Sequence, residues 1–252
     1  MFADIRTVLW KEGRSLLRYQ GRKSQLIVSL LTPLIVAVIL PISFGIDWAE
    51  TYFSLFVGIL IPLIVVGLLV PDAVAGERER HTLETLLASR LPDKAIMLGK
   101  ILLSMVVGWA GSVLIYLFSI LVLNFTVDQP GIVFYRWDVF LAQMVTSLAM
   151  AILVAALGVL FSLKAPSVQI AQQNLFTVIM LPMMLLGFLP MSVIPILLKM
   201  PLGDQAGLRA FIENIKGWQV ILVVNAILFT LDGIFLWMGF SRFQRAKLLS
   251  KE

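Results

Sequence analysis

Residues 51–127 read TYFSLFVGILIPLIVVGLLVP (51–71), DAVAGERERHTLETLLASRLPDKAIMLGK (72–100) and ILLSMVVGWAGSVLIYLFSILVLNFTV (101–127). The first and third pieces carry no charge, and each has the roughly 20 mostly apolar residues needed to cross a hydrocarbon core of about 30 Å. The piece between them is dense in charge. Two crossing-length runs around a charged connection describe a pair of membrane helices joined on one side of a bilayer. The whole chain agrees with that reading: of 252 residues 60% are hydrophobic and 14% charged, and the mean hydropathy is +0.96. A soluble domain has about 45–50% apolar and about 25% charged residues.

Working outward, the same test finds uncharged runs at Ser24–Ile46, Thr51–Pro71, Ile101–Val127, Val139–Leu163 and Ala165–Leu198, and a run at Gly217–Ser241 interrupted only by Asp232. Trimmed to bilayer length they predict an all-α membrane protein with six transmembrane helices near 25–44, 53–75, 95–123, 139–163, 168–189 and 218–240. The fifth run is too long for one crossing and contains Pro182, Pro190 and Pro195. Its second part is therefore predicted to form a short re-entrant or interfacial element, opening an outer segment at 190–217. Pro33, Pro41, Pro62 and Pro71 are expected to bend the first two spans, and Ala151, Ala155 and Gly158 give the fourth a face for close helix packing. Halves 1–126 and 127–252 show no internal repeat, so one chain supplies six helices as a single domain and a two-fold dimer would supply twelve.

The net charge of +5 resolves into topology. Arg6, Lys11, Arg14, Arg18, Arg22 and Lys23 precede the first span, Arg78, Arg80, Arg90, Lys94 and Lys100 lie between the second and third, and Arg242, Arg245, Lys247 and Lys251 follow the last. With Lys164 these fall on one side, leaving Arg136, Lys199, Arg209 and Lys216 on the other. The positive-inside rule then predicts both termini cytoplasmic, in the plasma membrane. The basic balance is an orientation signal, and no nucleic-acid partner is expected. The first apolar run exceeds a signal-peptide core and no A-x-A site follows it, so no cleavable signal is expected. With no cysteine and one histidine, His81, thiolate chemistry and metal catalysis lack their ligands.

On a helical wheel at about 100° per residue, Phe2, Ile5, Val8, Leu9, Leu16 and Tyr19 share one arc, and Asp4, Lys11, Arg14, Arg18 and Arg22 the opposite one, with Arg6 and Glu12 as exceptions. Residues 1–22 thus read as an amphipathic interfacial helix with its basic face toward headgroups and cytosol, or as a basic topogenic flank. In the loop at 76–94, Glu77, Arg78, Glu79 and Arg80 alternate in sign, Thr82 can cap a short helix, and Leu83, Leu86 and Leu87 form its apolar ridge before Pro92. So short a helix must dock on something. A solvated loop and a partner-binding helix both fit this composition.

The residues of this loop resemble those of the ABC-2 family, the membrane permease subunits of type V-like ATP-binding-cassette exporters, whose loop reads roughly GERExGTLExLLxxPxxxxxIxxGK. Gly76, Glu77, Arg78, Glu79, Thr82, Leu83, Glu84, Leu86, Leu87, Ile96, Gly99 and Lys100 match. His81 replaces the usual glycine and is expected to lengthen the helix by a turn; Arg90 replaces the usual proline, leaving Pro92 to make the break. The resemblance continues through FSLKAPSVQIAQQNL after the fourth span, GFLPMSVIPILLKMPLGD before the sixth and FSRFQRAKLL after it. It implies an interfacial N-terminal helix, a coupling helix in this loop, a second permease copy or paralogue, and a cytoplasmic ATPase subunit that binds Glu77, Arg78, Leu83, Glu84, Leu86, Leu87 and Arg90. This chain lacks the G-x-x-x-x-G-K-[ST] phosphate loop, Gly99–Lys100 being followed by Ile101. It is therefore read as a non-catalytic subunit holding no cofactor, with ATP and Mg expected on the partner.

Inside the spans Asp232 is the one deeply placed ionisable residue, and its cost of roughly 2.5–3.5 kcal/mol at a helix centre predicts that it faces protein or water. Thr32, Ser104 and Asn174 lie at comparable depth, so a polar layer along a translocation path is one reading and an interhelical hydrogen bond the other. The alternatives to an exporter are an ATP-independent transporter or channel, and a same-family complex that senses or remodels.

Overall fold

The computed structural model describes residues 2–18, 20–82, 88–128, 131–182 and 217–242. Its helices are α1 (Phe2–Arg18), α2 (Gln20–Phe44), α3 (Asp47–Glu50), α4 (Leu55–Leu69), α5 (Ala75–Glu79), α6 (Asp93–Thr126) and α7 (Trp137–Lys164). They are followed by α8, helical over 168–182, and α9 (Gly217–Arg242). Among the described residues there is no strand. Four helical stretches there are long and apolar enough to cross a membrane: Tyr52–Leu69, Asp93–Thr126, Trp137–Lys164 and Gly217–Ser241, with a shorter apolar stretch at Leu31–Phe44. The expected fifth span, 168–189, is described to residue 182; the outer segment 190–217 and the basic tail lie outside the described residues except for Gly217 and Arg242.

The helices pack around α7, with α4 and α9 against it; α6 packs against both α4 and α7, α2 lies along α6, and α1 lies on the base of α6. In lipid, close packing rather than removal of apolar surface from water holds helices together, so small residues sit where backbones approach. Ala151, Ala155 and Gly158 are buried as their spacing suggested, and a Cβ on Gly158 would lie 2.7 Å from Val70 Cγ1. Two large apolar clusters result among the described residues, with a small third at Ala75, Ala165 and Ala171. Val66, Val70, Ile96, Met97, Ile101, Val154, Leu157 and Leu175 fill the end near the charged loop. Trp48, Val57, Ile61, Tyr116, Leu123, Tyr135 and Val139 fill the opposite end, where Trp48 Nε1–H donates to the Tyr135 hydroxyl at 3.1 Å and Gln143 donates to Ser54 Oγ at 2.6 Å. Leu114, Leu117 and Leu121 of α6 and Leu222, Ile227 and Trp237 of α9 point outward, as lipid-facing surfaces do.

Two expectations are corrected. The second span does not run unbroken to 75: α4 ends at Leu69, a 3₁₀ turn covers Pro71–Ala73, and α5 restarts at Ala75. Proline supplies no N–H to continue the ladder, and the freed groups find Ser162 of α7 instead. Its hydroxyl donates to the Pro71 carbonyl at 2.7 Å and accepts from the N–H groups of Val74 and Ala75 at 3.2 and 2.7 Å.

Nor does His81 lengthen the helix. It adopts φ +54°, its N–H donates to the Arg78 carbonyl, and the Thr82 N–H donates to the Glu77 carbonyl. That bond pair is a Schellman stop with His81 at the left-handed position glycine usually fills.

Within the apolar arc of α1, Val8 is buried against Gly99 of α6, where an added Cβ would stand 2.5 Å from Val8 Cγ1, Ile5 and Leu9 are half-buried, and Phe2 is exposed. At 34 residues α6 is about 50 Å long, well beyond a hydrocarbon core, so its first turns can carry α1.

Candidate functional site

The base of the bundle is organised by the four consecutive charges of α5 and the residue that ends it. Glu77 is buried, and its Oε1 accepts from Lys100 Nζ of α6 at 3.1 Å and from Lys11 Nζ of α1 at 3.2 Å. Lys100, also buried, donates in addition to Glu12 Oε1 of α1 at 2.8 Å. Two lysines and two glutamates therefore neutralise one another where α1, α5 and α6 meet. Such partners offset the several kcal/mol that desolvating an unpaired charge costs.

The next three residues each reach a different place. Arg78 donates to the carbonyls of Ala165 and Leu163, groups that the C-terminus of α7 leaves open. Glu79 accepts the Val168 N–H at 2.9 Å, placing a carboxylate at the N-terminus of α8, which Ser167 Oγ also caps through the Ile170 N–H at 3.3 Å; both favour the positive end of the helix dipole. Arg80 forms a fork with Asp72, at 3.1 and 3.3 Å, back across the break after α4. Gly76 leaves room for this, since a Cβ there would collide with the Asp72 carboxylate.

The sequence placed Glu77, Arg78, Leu83, Glu84, Leu86, Leu87 and Arg90 on one partner-binding surface. In the structure Glu77 and Arg78 are engaged within the protein, Arg90 is exposed, and Leu83, Glu84, Leu86 and Leu87 lie outside the described residues. Lys11, Glu12, Asp72 and Ser162 were not foreseen as partners of this segment. One signal for Glu12 existed: an acid in the centre of an otherwise apolar helical arc needs a buried cation.

Asp232 of α9 is turned into protein, as its insertion cost required. It stands on a stripe of Asn225, Asp232 and Gly239, at steps of seven residues, all buried. Asn225 donates to Thr146 Oγ1 of α7 at 3.0 Å, and Gly239 admits Met97 of α6. Both carboxyl oxygens of Asp232 lack a hydrogen-bond partner among the described residues. The expected polar layer is dispersed: Ser104 is buried and bonds to the Lys100 carbonyl of its own helix at 3.0 Å, whereas Thr32 and Asn174 are exposed. Asn225, which the sequence reading passed over, is the polar neighbour along this face. Among the described residues no cluster of His, Asp and Glu could hold a metal ion.

An all-helical bundle with crossing-length apolar helices, gathered at one end onto a charged connecting segment, defines a multi-pass membrane protein of the permease class. The chain belongs to the ABC-2 type transporter family, whose model matches residues 5–201. That match contains α1 from Ile5 onward, the charges at 77–80 and Gly99–Lys100, and so every ion pair of the clamp just described. Among curated proteins, none matches the chain.

Proposed function

We propose that this chain is the permease subunit of an ATP-driven exporter, crossing the plasma membrane six times with both termini cytoplasmic. It works as a dimer, with a second copy or a paralogue, and is driven by separate cytoplasmic ATPase subunits that bind ATP and Mg. The observation supporting this most directly is the division of Glu77, Arg78, Glu79 and Arg80 among separate elements: α1 with α6, the end of α7, the start of α8, and the turn after α4. A load applied to the loop that follows reaches all of them through short polar contacts. In this reading Leu83, Glu84, Leu86, Leu87 and Arg90 meet the ATPase, and Glu77 and Arg78 transmit the displacement inward. In the same reading Thr32 and Asn174, both exposed, line a path between two copies, while Asp232 and Ser104 act within one.

The test is ATP turnover by the co-expressed ATPase in vesicles with and without the permease. Glu84→Lys and Leu86→Asp should abolish stimulation while leaving the purified permease as stable as the wild type. Unchanged coupled turnover in both variants would remove the coupling assignment.

A further inference from the structure

We infer that α1 carries a binding site for an anionic phospholipid headgroup, formed by Phe2, Arg6, Trp10 and Arg14. This goes beyond the transport reading and does not depend on the ATPase. The helix is divided by sign and by depth. Its inward arc holds Val8, packed on Gly99, and Glu12, paired with Lys100. Its outward arc holds the four named residues at successive steps of four, within about 120° of the helix circumference. Phe2 is 92% exposed and Trp10 64%, an unusual position for two large aromatics on a helix otherwise held tightly. Arg6 and Arg14 are exposed beside them, and the Arg14 guanidinium carbon lies 4.7 Å from the centroid of the Trp10 ring.

The height of this arc is set by what α1 is fastened to. Lys100 is the last charge before an uncharged run from Ile101 to Val127, so the Glu12–Lys100 pair marks the level where the polar boundary gives way to hydrocarbon. Headgroup phosphates occupy that level. Tryptophan settles at such boundaries, and a guanidinium stacked on it keeps donors free to fork onto a phosphate. Of the two acids of α1, Glu12 is turned inward to Lys100 and Asp4 falls about 140° from the centre of the outward arc, so that arc presents positive charge, which suits an anionic rather than a zwitterionic lipid.

The experiment titrates the purified full chain in detergent with short-chain phosphatidylglycerol, phosphatidylcholine, glycerol phosphate or inorganic phosphate. Thermal unfolding and retained lipid in native mass spectra are the readouts. Phosphatidylglycerol should stabilise and remain bound, phosphatidylcholine should not, and the R6Q/R14Q double variant should need roughly tenfold more lipid or beyond. Trp10→Ala should weaken binding as well, and K164Q, which removes an exposed cation at the same end but off the arc, should leave it unchanged. Equal saturation by free phosphate would show an ion site and overturn the lipid assignment. Equal weakening by K164Q would show diffuse charge attraction and overturn the site. An R6Q/R14Q chain with unaltered lipid response but lost ATPase association would show that the arc serves a protein partner instead. If the double variant unfolds earlier without lipid, the Trp10→Ala titration and the native mass spectra of R6Q/R14Q decide the matter, since each compares lipid-bound with lipid-free chain.

Discussion

Lys100 on α6 and Asp232 on α9 are ionisable residues with the same exposure, 3% each, and the protein surrounds them in opposite ways. Lys100 receives two carboxylates from two other helices. Asp232 has no partner for either oxygen among the described residues. A buried ion with satisfied partners holds elements in register. A buried acid without them costs stability, and such a cost persists in membrane helices chiefly where function uses the group. The contrast is between a buried charge that the described residues satisfy and one that they leave open.

The sharpest way to break that contrast is to remove both charges and compare. Lys100→Met leaves half-buried Glu12 and buried Glu77 beside each other with the half-exposed Lys11 to serve both, a loss of about 3 kcal/mol. It should appear as a large fall in unfolding temperature in detergent and as poor insertion. Asp232→Asn and Asp232→Leu should instead be neutral or stabilising, and transport should fall although the protein is folded and abundant. If Asp232→Asn destabilises as strongly as Lys100→Met, Asp232 has a structural partner and the contrast disappears. If transport survives both Asp232 substitutions, the acid has no role in the path.

Smaller in effect is the seat of α1. Gly99→Ala places a methyl group 2.5 Å from Val8 Cγ1 and 2.7 Å from Val8 Cβ, an overlap expected to cost about 1–3 kcal/mol. Because the helix bearing Val8 also carries Glu12, displacing it should loosen the Lys100 pair as well. Val8→Ala in the same chain should recover part of the loss, and a double-mutant cycle of unfolding temperatures measures the coupling. Additive effects would mean that α1 does not seat through this contact.

Much of the fold is legible in the sequence, and its failures have a common cause. The bounds of α7 and the C-terminal end of α6 lie close to those of uncharged runs, because lipid imposes length and polarity on each helix separately, whereas α6 begins at Asp93, well before its run opens at Ile101. The break between α4 and α5 does not, since it is completed by Ser162, 91 residues away. The charges at 77–80 invite a reading as solvent-facing or partner-facing, and local sequence cannot distinguish that from contacts with Lys100, Ala165 and Val168. Asn225 escaped notice because an amide inside an apolar run carries no charge, although its seven-residue step from Asp232 places the two on one face. The burial of Asp232 was foreseeable because the energy involved is large enough to decide orientation alone.

The smallest expected effect tests whether sequence departures alter the clamp. Across the loop motif, His81 is a substitution at a glycine position, yet α5 still ends there in a left-handed turn. For an L-residue that conformation costs roughly 1–2 kcal/mol, less for histidine than for most because histidine is enriched in this region. Its side chain is exposed, so little packing opposes a change. His81→Gly relieves the backbone but adds freedom to the unfolded chain, and the two together should leave stability unchanged or raised by at most about 1 kcal/mol. His81→Val, β-branched and poorly suited to positive φ, should lower it by about 1–2 kcal/mol. Thermal unfolding of the two variants beside the wild type measures both. A clear loss in His81→Gly would mean that the imidazole contributes a contact of its own to the clamp. A valine as stable as histidine would mean that the Glu77–Lys100 and Arg78–Ala165 contacts, not the turn, fix where α5 stops.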